Sequence, residues 1–439
     1  MRRPILLLIS VLACVVAAHA RYITLTDSLV GSAIYPGTVH TFSVTVPDAY
    51  DGSHPAALYL GLDGILCNAP EVIDSLSATG AIPVTIGVYL QPGIVRADDG
   101  RVLRYNRSNE FDATDDRFAT FLASELLPAV SRITIPDGRP LRLSDDTADR
   151  MIFGLSSGGI AAFTAAWHRP DLFGKIYSGC GTFVPMRGGN DLQAIVRKHE
   201  PRPLRIYLQD GYTDSWNPLF GSWYEANRML ASALVFAGYD CGFDWAPGGH
   251  SIRRTSEIFP DVMTWMWRDR PSSLSAGTSA NNYLAPLLDG AGRWQPAALP
   301  VPVPAPRARA VYPDSTIIVT RTAGSNCLTQ YIVDRHGRPA CGQPFYWLHT
   351  YGNSLLTVHD MTFDADGNLW VLTPAGIQIC DHNGRVRGIL SLPCALAPDA
   401  AIDLRDGLVI IISDGRAYTR RLNIAAPRPG HTPPSQGQA

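Results

Sequence analysis

The chain has 439 residues, of which 46% are hydrophobic and 17% are charged, so it is long enough to bury one large core or two smaller ones. Its formal net charge is -2 and its basic residues are scattered rather than clustered, which argues against a nucleic-acid partner. After the first twenty residues, no stretch is long and apolar enough to predict a membrane span.

The first twenty residues predict an export signal. Two arginines precede the apolar run PILLLISVLACVVAA, and the small-residue site AHA follows at 18–20. A second interpretation takes VLAC as the lipid-attachment box of a bacterial lipoprotein, with the lipid on Cys14. The mature protein is therefore expected to be secreted or periplasmic, or anchored to the outer membrane by a lipid.

Seven cysteines remain after cleavage of such a signal, three before residue 250 and four after residue 320. The last four can form two local disulfides, Cys327 with Cys341 and Cys380 with Cys394. Alternatively, all seven are buried as small hydrophobic residues, and the sequence leaves both interpretations open. None of the cysteines has the spacing of metal ligands.

From residue 21 to 271, apolar runs alternate with helical patterns, which predicts a domain of the α/β class. Residues 21–50 alternate apolar and polar side chains, as an antiparallel strand pair does. Strands and helices that alternate along the chain form a mostly parallel sheet covered on both faces. The segments that follow residue 50 are AALYLGL, a helix near 70–79, IPVTIGVYL, the helix DDRFATFLASELLPAV, RMIFGL, a helix after residue 156, KIYSGCG, LRIYLQDG, the helix WYEANRMLASALVFAG, CGFDWAPGG and IFPDVMTWMWRD.

Residues 272–308 are rich in proline, serine and alanine and predict a linker that buries no core. Residues 309–425 then carry a weak internal repeat. IVDRHGR at 332–338 returns 47 residues later as ICDHNGR, and DADGNLWV at 364–371 returns 40 residues later as LRDGLVII. Such spacings are typical of four-stranded propeller blades, of which about three fit before a disordered tail at 426–439, whereas a closed propeller needs about four. This part is therefore predicted to be an incomplete propeller or a smaller all-β domain.

The clearest chemical motif is GLSSGG at 154–159. It matches G-x-S-x-G directly after a predicted strand and before a predicted helix, which is the context of a nucleophile elbow. Such a turn projects the Ser156 hydroxyl above the sheet, and the glycines let strand and helix approach closely. Ser156 is the predicted nucleophile, with an ordinary strand-turn-helix as the alternative unless partners are found.

Partners follow in the order acid, then histidine, as expected of an α/β-hydrolase. LQDGYTDSW places Asp210 and Asp214 just past an apolar strand, and APGGHS places His250 in a glycine-rich loop. Asp214 is favoured as the acid because it lies farther into the loop and can reach over the sheet edge. Asp210 remains the alternative, since it still belongs to the strand end.

Two backbone N–H groups are predicted to form an oxyanion hole. One belongs to Ser157 at the start of the helix. The other belongs to Gly64 or Ile65 in YLGLDGILCN, although an Asp-Gly pair also forms ordinary turns.

Taken together, LGLDG, IPVTIGVYLQPG, RYNRSNEFD, FLASELLPAV, GLSSGG, LQDGYTD and GGHS resemble the secreted esterases related to enterochelin esterase and to the feruloyl and acetyl esterases of plant polysaccharides. The resemblance covers about residues 30–270. It implies an α/β-hydrolase fold, a catalytic Ser156, Asp214 and His250, and neither a metal nor an organic cofactor.

The C-terminal part has a resemblance of its own. FDADGNLWV followed by GIQICDHNGRV is similar to the repeats of gluconolactonase-like propellers. That family binds a divalent metal through several blades, and the missing blades leave no such ligands to assign here. The interpretation is therefore a packing module or one that contacts carbohydrate.

Candidate substrate-binding residues lie in three loops. Arg107 and Glu110 in RYNRSNEFD form either an ion pair that holds the loop or direct contacts to substrate. Four aromatic residues follow predicted strands and either stack on a sugar or phenolic acyl group or fill the core of a lid. They are Tyr212, Trp216, Trp223 and Phe183. Arg187, Arg253 and Arg254 are the candidates for a basic pocket that would favour an anionic siderophore.

The sequence thus predicts a secreted serine carboxylesterase that hydrolyses acetyl or feruloyl esters on plant-derived carbohydrates through an acyl-enzyme. One alternative is an esterase of siderophore trilactones. A second, of another class, is a surface glycan-binding protein with an inactive hydrolase core. The oligomeric state is left open.

Overall fold

The computed structural model describes residues 22–270, 274–276, 283–288, 293–298, 305–352 and 354–423. The predicted signal peptide, Cys14 and the predicted tail lie outside the described residues. Within these ranges, none of the helices is both long enough and apolar enough to cross a membrane.

A ten-stranded sheet is the centre of the first domain. Its strands are β1 (Tyr22–Val30), β2 (Val39–Pro47), β3 (Ala57–Leu62), β4 (Thr85–Leu90), β5 (Ile94–Arg96), β6 (Val102–Tyr105), β7 (Arg150–Leu155), β8 (Lys175–Gly179), β9 (Arg205–Gly211) and, farther along the chain, β12 (Asp240–Ala246). A separate hairpin is formed by β10 (Trp216–Asn217) and β11 (Gly221–Ser222).

Eight helices accompany this sheet. They are α1 (Ala69–Ala78), α2 (Arg107–Phe111), α3 (Arg117–Phe121), which continues through a π-helical turn (Leu122–Leu126) into α4 (Leu127–Val130), α5 (Ser157–His168), α6 (Leu192–Lys198), α7 (Trp223–Phe236) and α8 (Ile252–Met266). Single 3₁₀ turns lie at Thr147–Asp149 and Gly189–Asp191.

The strand order is β12-β9-β8-β7-β3-β4-β2-β5-β6, with β1 on β2. The six strands from β12 to β4 are parallel, and the remaining pairs are antiparallel. Parallel strands end at the same sheet edge, so the loops after β3, β7, β8, β9 and β12 gather there.

One apolar core covers each face of the sheet. The larger core joins the sheet to α3, α4, α5, α6 and α7, and the smaller one joins it to α1 and α8. Strands β3 and β4 are buried along their whole length because helices cover both faces. The predicted mostly parallel sheet with helices on both faces is confirmed.

The segment predicted to be a linker contributes to the second domain. Leu284 is fully buried in its core, and Trp294 packs against that core. Strand β13 (Gln295–Ala297) pairs with the last strand that the structure describes. The prediction that residues 272–308 bury no core is wrong for these residues, because a few large apolar side chains among the small ones anchor the segment.

Three four-stranded antiparallel sheets make up the second domain. The first contains β14 (Arg309–Val311), β15 (Ile317–Thr320), β16 (Cys327–Val333) and β17 (Pro339–Trp347), and the second contains β18 (Asp360–Phe363), β19 (Leu369–Thr373), β20 (Gly376–Cys380) and β21 (Val386–Leu390). In the third, β13 joins β22 (Ala401–Arg405), β23 (Leu408–Ser413) and β24 (Arg416–Arg421). The all-β prediction for this part agrees with these sheets, and the propeller resemblance stays a prediction.

The internal repeat of the sequence corresponds to equivalent hairpins. Segments 332–338 and 379–385 connect the last two strands of the first and second sheets. Segment 364–371 connects β18 to β19, and segment 404–411 connects β22 to β23. Asp334 and Asp381 make the same hydrogen bond in segments 332–338 and 379–385, because each carboxylate accepts the backbone N–H of the arginine four residues later. The repeat therefore records a turn whose aspartate satisfies backbone donors.

The sheets are tied together by one buried carboxylate. Asp360 at the start of β18 accepts two hydrogen bonds from the Arg307 guanidinium, at 3.0 Å each. Its second oxygen also accepts the N–H of Ile402 in the third sheet, at 2.9 Å. The chain segment before the first sheet and the other two sheets are thus joined at a fully buried charge that is paired on both oxygens.

The two domains share an interface at the end of α5. Trp167 donates its indole N–H to the Tyr351 hydroxyl at 2.8 Å, and the Tyr351 ring lies edge-on to His168 at 4.5 Å. Arg420 of β24 pairs with Glu200 at 2.6 Å. Both contacts are partly or fully buried, so the second domain packs firmly against the first.

All seven described cysteines are free thiols. Cys327 lies opposite Trp347 in the β16–β17 ladder, whereas Cys341 lies near the other end of that ladder. Cys380 is fully buried in the core between sheets, and Cys394 lies in the loop after β21. The alternative of two local disulfides is therefore not what the structure contains.

Candidate active site

The elbow that carries Ser156 is a strained turn between β7 and α5. Ser156 has a φ of 57° and a ψ of -119°, a backbone conformation that L-residues rarely adopt. Gly154 and Gly159 allow this turn because they have no side chain where the neighbouring atoms approach most closely. A Cβ on Gly154 would lie 2.2 Å from the Gly158 carbonyl oxygen, and one on Gly159 would lie 2.5 Å from Ser178 Oγ.

Replacing Gly154 with alanine is expected to lower the free energy of unfolding by about 3 kcal/mol or more, because the new methyl group meets backbone rather than a movable side chain. Chemical denaturation measures the change. Gly31→Ala is the control, since φ is +78° there and no atom lies within 4 Å of the added Cβ. That variant should lose only about 1 kcal/mol, and equal losses in the two variants would contradict the steric argument.

Three side chains from distant parts of the sequence form one hydrogen-bonded chain. His250 Nε2 lies 2.8 Å from Ser156 Oγ, and His250 Nδ1 lies 2.7 Å from Asp214 Oδ1. An ionised carboxylate only accepts, so Nδ1 carries the proton and Nε2 is free to accept the serine hydroxyl hydrogen. This is the geometry of a nucleophile, a base and an orienting acid.

The acid in this chain is Asp214, the residue that the loop position favours. Burial opposes its ionisation, but hydrogen bonds from His250, from Asp210 and from the Ser215 N–H hold the pKa of Asp214 below its usual value. Asp210, the alternative, lies behind Asp214, and among the described residues no hydrogen bond joins it to the imidazole. It accepts instead from Gly211 and Asn227.

Of the three predicted oxyanion donors, two remain available. The N–H of Ser157 is the first of α5 and has no acceptor within the helix. The N–H of Ile65 donates to no acceptor among the described residues. Gly64 was predicted as a donor and is excluded, because its N–H donates to the Leu90 carbonyl oxygen at 3.0 Å.

A cavity of about 340 Å³ opens beside Ser156 and His250. Apolar side chains of Leu66, Leu155 and Ile252 form much of its wall. A hydrophobic wall beside a nucleophile suits the acyl part of an ester. The remaining lining residues are Asp63, Arg107, Cys180 and Ser251.

Arg107 reaches this cavity, and its partner is Asp63 rather than Glu110. Its guanidinium donates to both Asp63 oxygens, at 2.6 and 2.8 Å. Glu110 is fully buried and accepts from His40 at 3.0 Å and from Asn106 at 2.6 Å. Both predictions for Glu110, an ion pair with Arg107 and a substrate contact, are therefore wrong, because Asp63 pairs with the Arg107 guanidinium and the Glu110 carboxylate is buried against His40 and Asn106.

The four predicted aromatic residues have different positions. Phe183 is 2% exposed and packs edge-on against Phe163 in the larger core, so it does not contact substrate. Trp223 is also buried. Its indole N–H donates to Thr182 Oγ1 at 3.3 Å, and its ring lies edge-on to His250 at 6.3 Å. It supports the site from behind.

Tyr212 and Trp216 are exposed, at 53% and 71%. They flank Asp214 in sequence, and Trp216 begins the hairpin of β10 and β11 that leads to α7. We call residues 215–222 the rim hairpin. The rim hairpin is flanked by Asp214 and Trp223, and both of these residues contact His250. The exposed rings of Tyr212 and Trp216 therefore lie next to the site.

Sequence reasoning missed Thr182 and the role of Asp63. Thr182 Oγ1 lies 3.4 Å from Ser156 Oγ, and Asp63 orients Arg107 in the cavity. Both residues follow ends of parallel strands, which was the available signal.

One cluster has the residue types of a metal site. Ligand atoms of Cys180, Asp214 and His250 lie within 4.8 Å of one another. Asp214 and His250 are already hydrogen-bonded to each other, so the nucleophile-base-acid chain accounts for the cluster without a metal.

The three side chains of this hydrogen-bonded chain lie in the part of the protein that matches a known family. Residues 35–253 match the model of the family described as "Putative esterase", and no curated protein matches the chain. Three solved structures are similar at low identity. A ferulic acid esterase is 18% identical with a TM-score of 0.43, and the match covers 56% of this chain and 99% of that one. An enterobactin esterase from Shigella flexneri is 21% identical with a TM-score of 0.43 (57% of this chain, 59% of that one), and an S-formylglutathione hydrolase from Staphylococcus aureus is 15% identical with a TM-score of 0.38 (57% of this chain, 99% of that one). Over residues 35–253 the chain belongs to this esterase family, and it is a carboxylic-ester hydrolase.

Proposed function

We propose that the enzyme is an exported serine esterase that removes acetyl or feruloyl groups from plant-derived carbohydrates. The observation that carries the proposal is the unbroken hydrogen-bonded chain from Ser156 through His250 to Asp214 beside a largely apolar cavity. Export rests on the sequence pattern of the first twenty residues.

The roles follow from the geometry. His250 Nε2 takes the Ser156 proton as Oγ attacks the ester carbonyl, and Asp214 holds Nδ1 protonated and stabilises the imidazolium. The N–H groups of Ser157 and Ile65 stabilise the oxyanion of the tetrahedral intermediate. The imidazolium then gives its proton to the leaving alcohol, and a water deprotonated by His250 hydrolyses the acyl-enzyme.

The surroundings of the site support a neutral acyl group on a sugar. The apolar wall of the cavity suits the acyl part, and the exposed Trp216 and Tyr212 offer flat faces to a sugar ring. The site is less suited to a highly anionic siderophore, because the three arginines predicted to form a basic pocket all have partners within the protein. Arg253 pairs with Glu257, and Arg254 pairs with Asp244. Arg187 donates to the Ser108 carbonyl oxygen.

A panel of esters tests the substrate class. The protein from residue 21 onward is incubated with acetylated xylan, feruloylated arabinoxylan and a ferric catecholate trilactone, and released acid is measured. We expect kcat/KM for one of the two carbohydrate esters to exceed that for the trilactone by about tenfold or more. A preference for the trilactone would contradict the proposal. A chain that a fluorophosphonate serine probe fails to label would instead fit the glycan-binding alternative.

A further inference from the structure

A second carboxyl group is buried directly behind the proposed catalytic acid. Asp210, near the end of β9, has no exposed surface, and the Asp214 side chain is also fully covered. Two carboxyl groups this close and this far from water cannot both be ionised without a compensating charge.

The hydrogen bonds around the pair show which group lacks a donor. Asp214 Oδ1 accepts from His250 and from the Ser215 N–H. Asp214 Oδ2 is buried, and no N–H or neutral hydroxyl among the described residues donates to it. A buried carboxylate oxygen without a donor is strongly unfavourable. The neighbouring group that shares a hydrogen bond with the Asp214 carboxyl group is the Asp210 carboxyl group.

The surroundings of Asp210 leave room for one proton. Its Oδ1 accepts the Gly211 N–H at 2.7 Å, and its Oδ2 accepts from Asn227 Nδ2 at 2.9 Å. The same Asn227 nitrogen donates to the Gly181 carbonyl oxygen at 2.8 Å, which fixes the amide with its nitrogen toward Asp210. A carboxylic acid accepts both bonds and still has one hydrogen to donate.

Other titratable groups near Asp210 do not supply a positive charge. Cys180, after β8, faces both carboxyl groups, and burial raises the pKa of its thiol to about 12, so it is neutral. On the other side, β12 places Trp245 beside Asp210, and α7 contributes the neutral Asn227. His250 contacts Asp214 Oδ1, on the side away from the unpaired oxygen.

We propose that Asp210 is protonated in the resting enzyme and donates its carboxyl hydrogen to Asp214 Oδ2, which makes it a positioning residue behind the proposed triad. The inference rests on the triad of the proposed function. The direction of the Asp210 pKa agrees with a protonated carboxyl group. Burial, then the hydrogen bond to Asp214, raises the pKa of Asp210 well above its usual range. The proton stays on Asp210 throughout turnover, and its role is to lock the Asp214 carboxylate in the plane that meets the imidazole.

The pH profile of kcat/KM separates this arrangement from its alternative. Asp210→Asn keeps the charge that a protonated Asp210 has, so the acid limb should stay where it is. If Asp210 were ionised, the same substitution would remove a negative charge near His250 and move the acid limb to lower pH by about one unit or more. Such a shift would overturn the proposal.

Removing the donor should have a larger effect than replacing it. We expect Asp210→Ala to lower kcat for p-nitrophenyl acetate by about 10- to 100-fold with a change in KM of less than about threefold. Asp210→Asn retains an N–H donor and should keep more of kcat. A kcat in Asp210→Ala equal to that of the unchanged protein would also overturn the proposal.

An infrared measurement reads the proton without any turnover. The difference spectrum between the unchanged protein and Asp210→Asn at neutral pH should show the carbonyl stretch of a protonated carboxyl group, lost in the variant. Asp74→Asn is the matched control, because Asp74 is 5% exposed and accepts the Asp48 N–H far from the site. That variant should keep the band. If the band is absent from the unchanged protein, Asp210 is ionised and the proposal is wrong, whatever the substrate proves to be.

Discussion

Ser156→Ala is expected to lower kcat for p-nitrophenyl acetate by about 10⁴-fold or more, because it removes the only atom that forms the acyl-enzyme. The residual rate comes from the N–H groups and the cavity, which still bind the transition state. Thermal unfolding should change little, since Ser156 Oγ makes two hydrogen-bond contacts among the described residues, to His250 and Thr182. Stopped-flow or steady-state release of p-nitrophenolate measures the effect.

Ser178→Ala is the matched control for this experiment. Ser178 lies on β8 directly beneath the elbow, and its buried hydroxyl has no hydrogen-bond partner in the part of the chain that the structure describes. The same loss of one oxygen should there leave kcat within about threefold and leave stability equal or higher. If Ser156→Ala keeps more than about one hundredth of the activity, Ser156 is not the nucleophile.

Asp214→Asn is expected to lower kcat by about 10³- to 10⁴-fold. An amide at this position can donate to Nδ1, which turns the imidazole into the tautomer whose Nε2 carries hydrogen and cannot accept the serine proton. The side chain keeps its volume, so the fold should persist. The measurement is kcat across pH, because no pH restores the correct tautomer.

Asp244→Asn provides the comparison for that variant. Asp244 lies on β12 and pairs with Arg254 at 2.7 Å, away from the imidazole. Its replacement should change kcat by less than about threefold, since a partly exposed ion pair contributes little. An Asp214→Asn enzyme with more than about one tenth of the original kcat would show that another group orients His250.

The sequence was sufficient for the hydrolase fold and for the residues proposed as nucleophile, acid and base. Each of those depends on a local pattern with a strict physical reason. The elbow needs small residues at 154 and 159, where a Cβ would collide with neighbouring atoms. In a parallel sheet, the residues that follow successive strands meet at one edge.

Other site predictions failed because they depend on the direction in which a side chain points in the folded protein. Phe183 and Trp223 follow strands as Trp216 does, yet a turn of the chain buries the first two and exposes the third. Glu110 lies three residues from Arg107, but Glu110 pairs with His40 of β2 and Arg107 pairs with Asp63, which follows β3. Tertiary packing decided these positions.

The predicted linker failed for a compositional reason. Average composition describes residues 272–308 well, yet Leu284 and Trp294 alone are enough to attach the segment to a core. A few large apolar side chains decide packing more than many small ones do.

The contact of Tyr351 with Trp167 and His168 has a consequence for how the protein can be divided. Helix α5 begins directly after the proposed nucleophile and ends at these two residues, so the second domain covers the end of α5 that lies away from Ser156. A fragment that stops at residue 270 would lack the Tyr351 hydroxyl that accepts the indole N–H of the fully buried Trp167. The esterase domain is therefore a poor candidate for expression alone. The C-terminal sheets cover the end of α5 opposite to the proposed active site and stabilise the domain there.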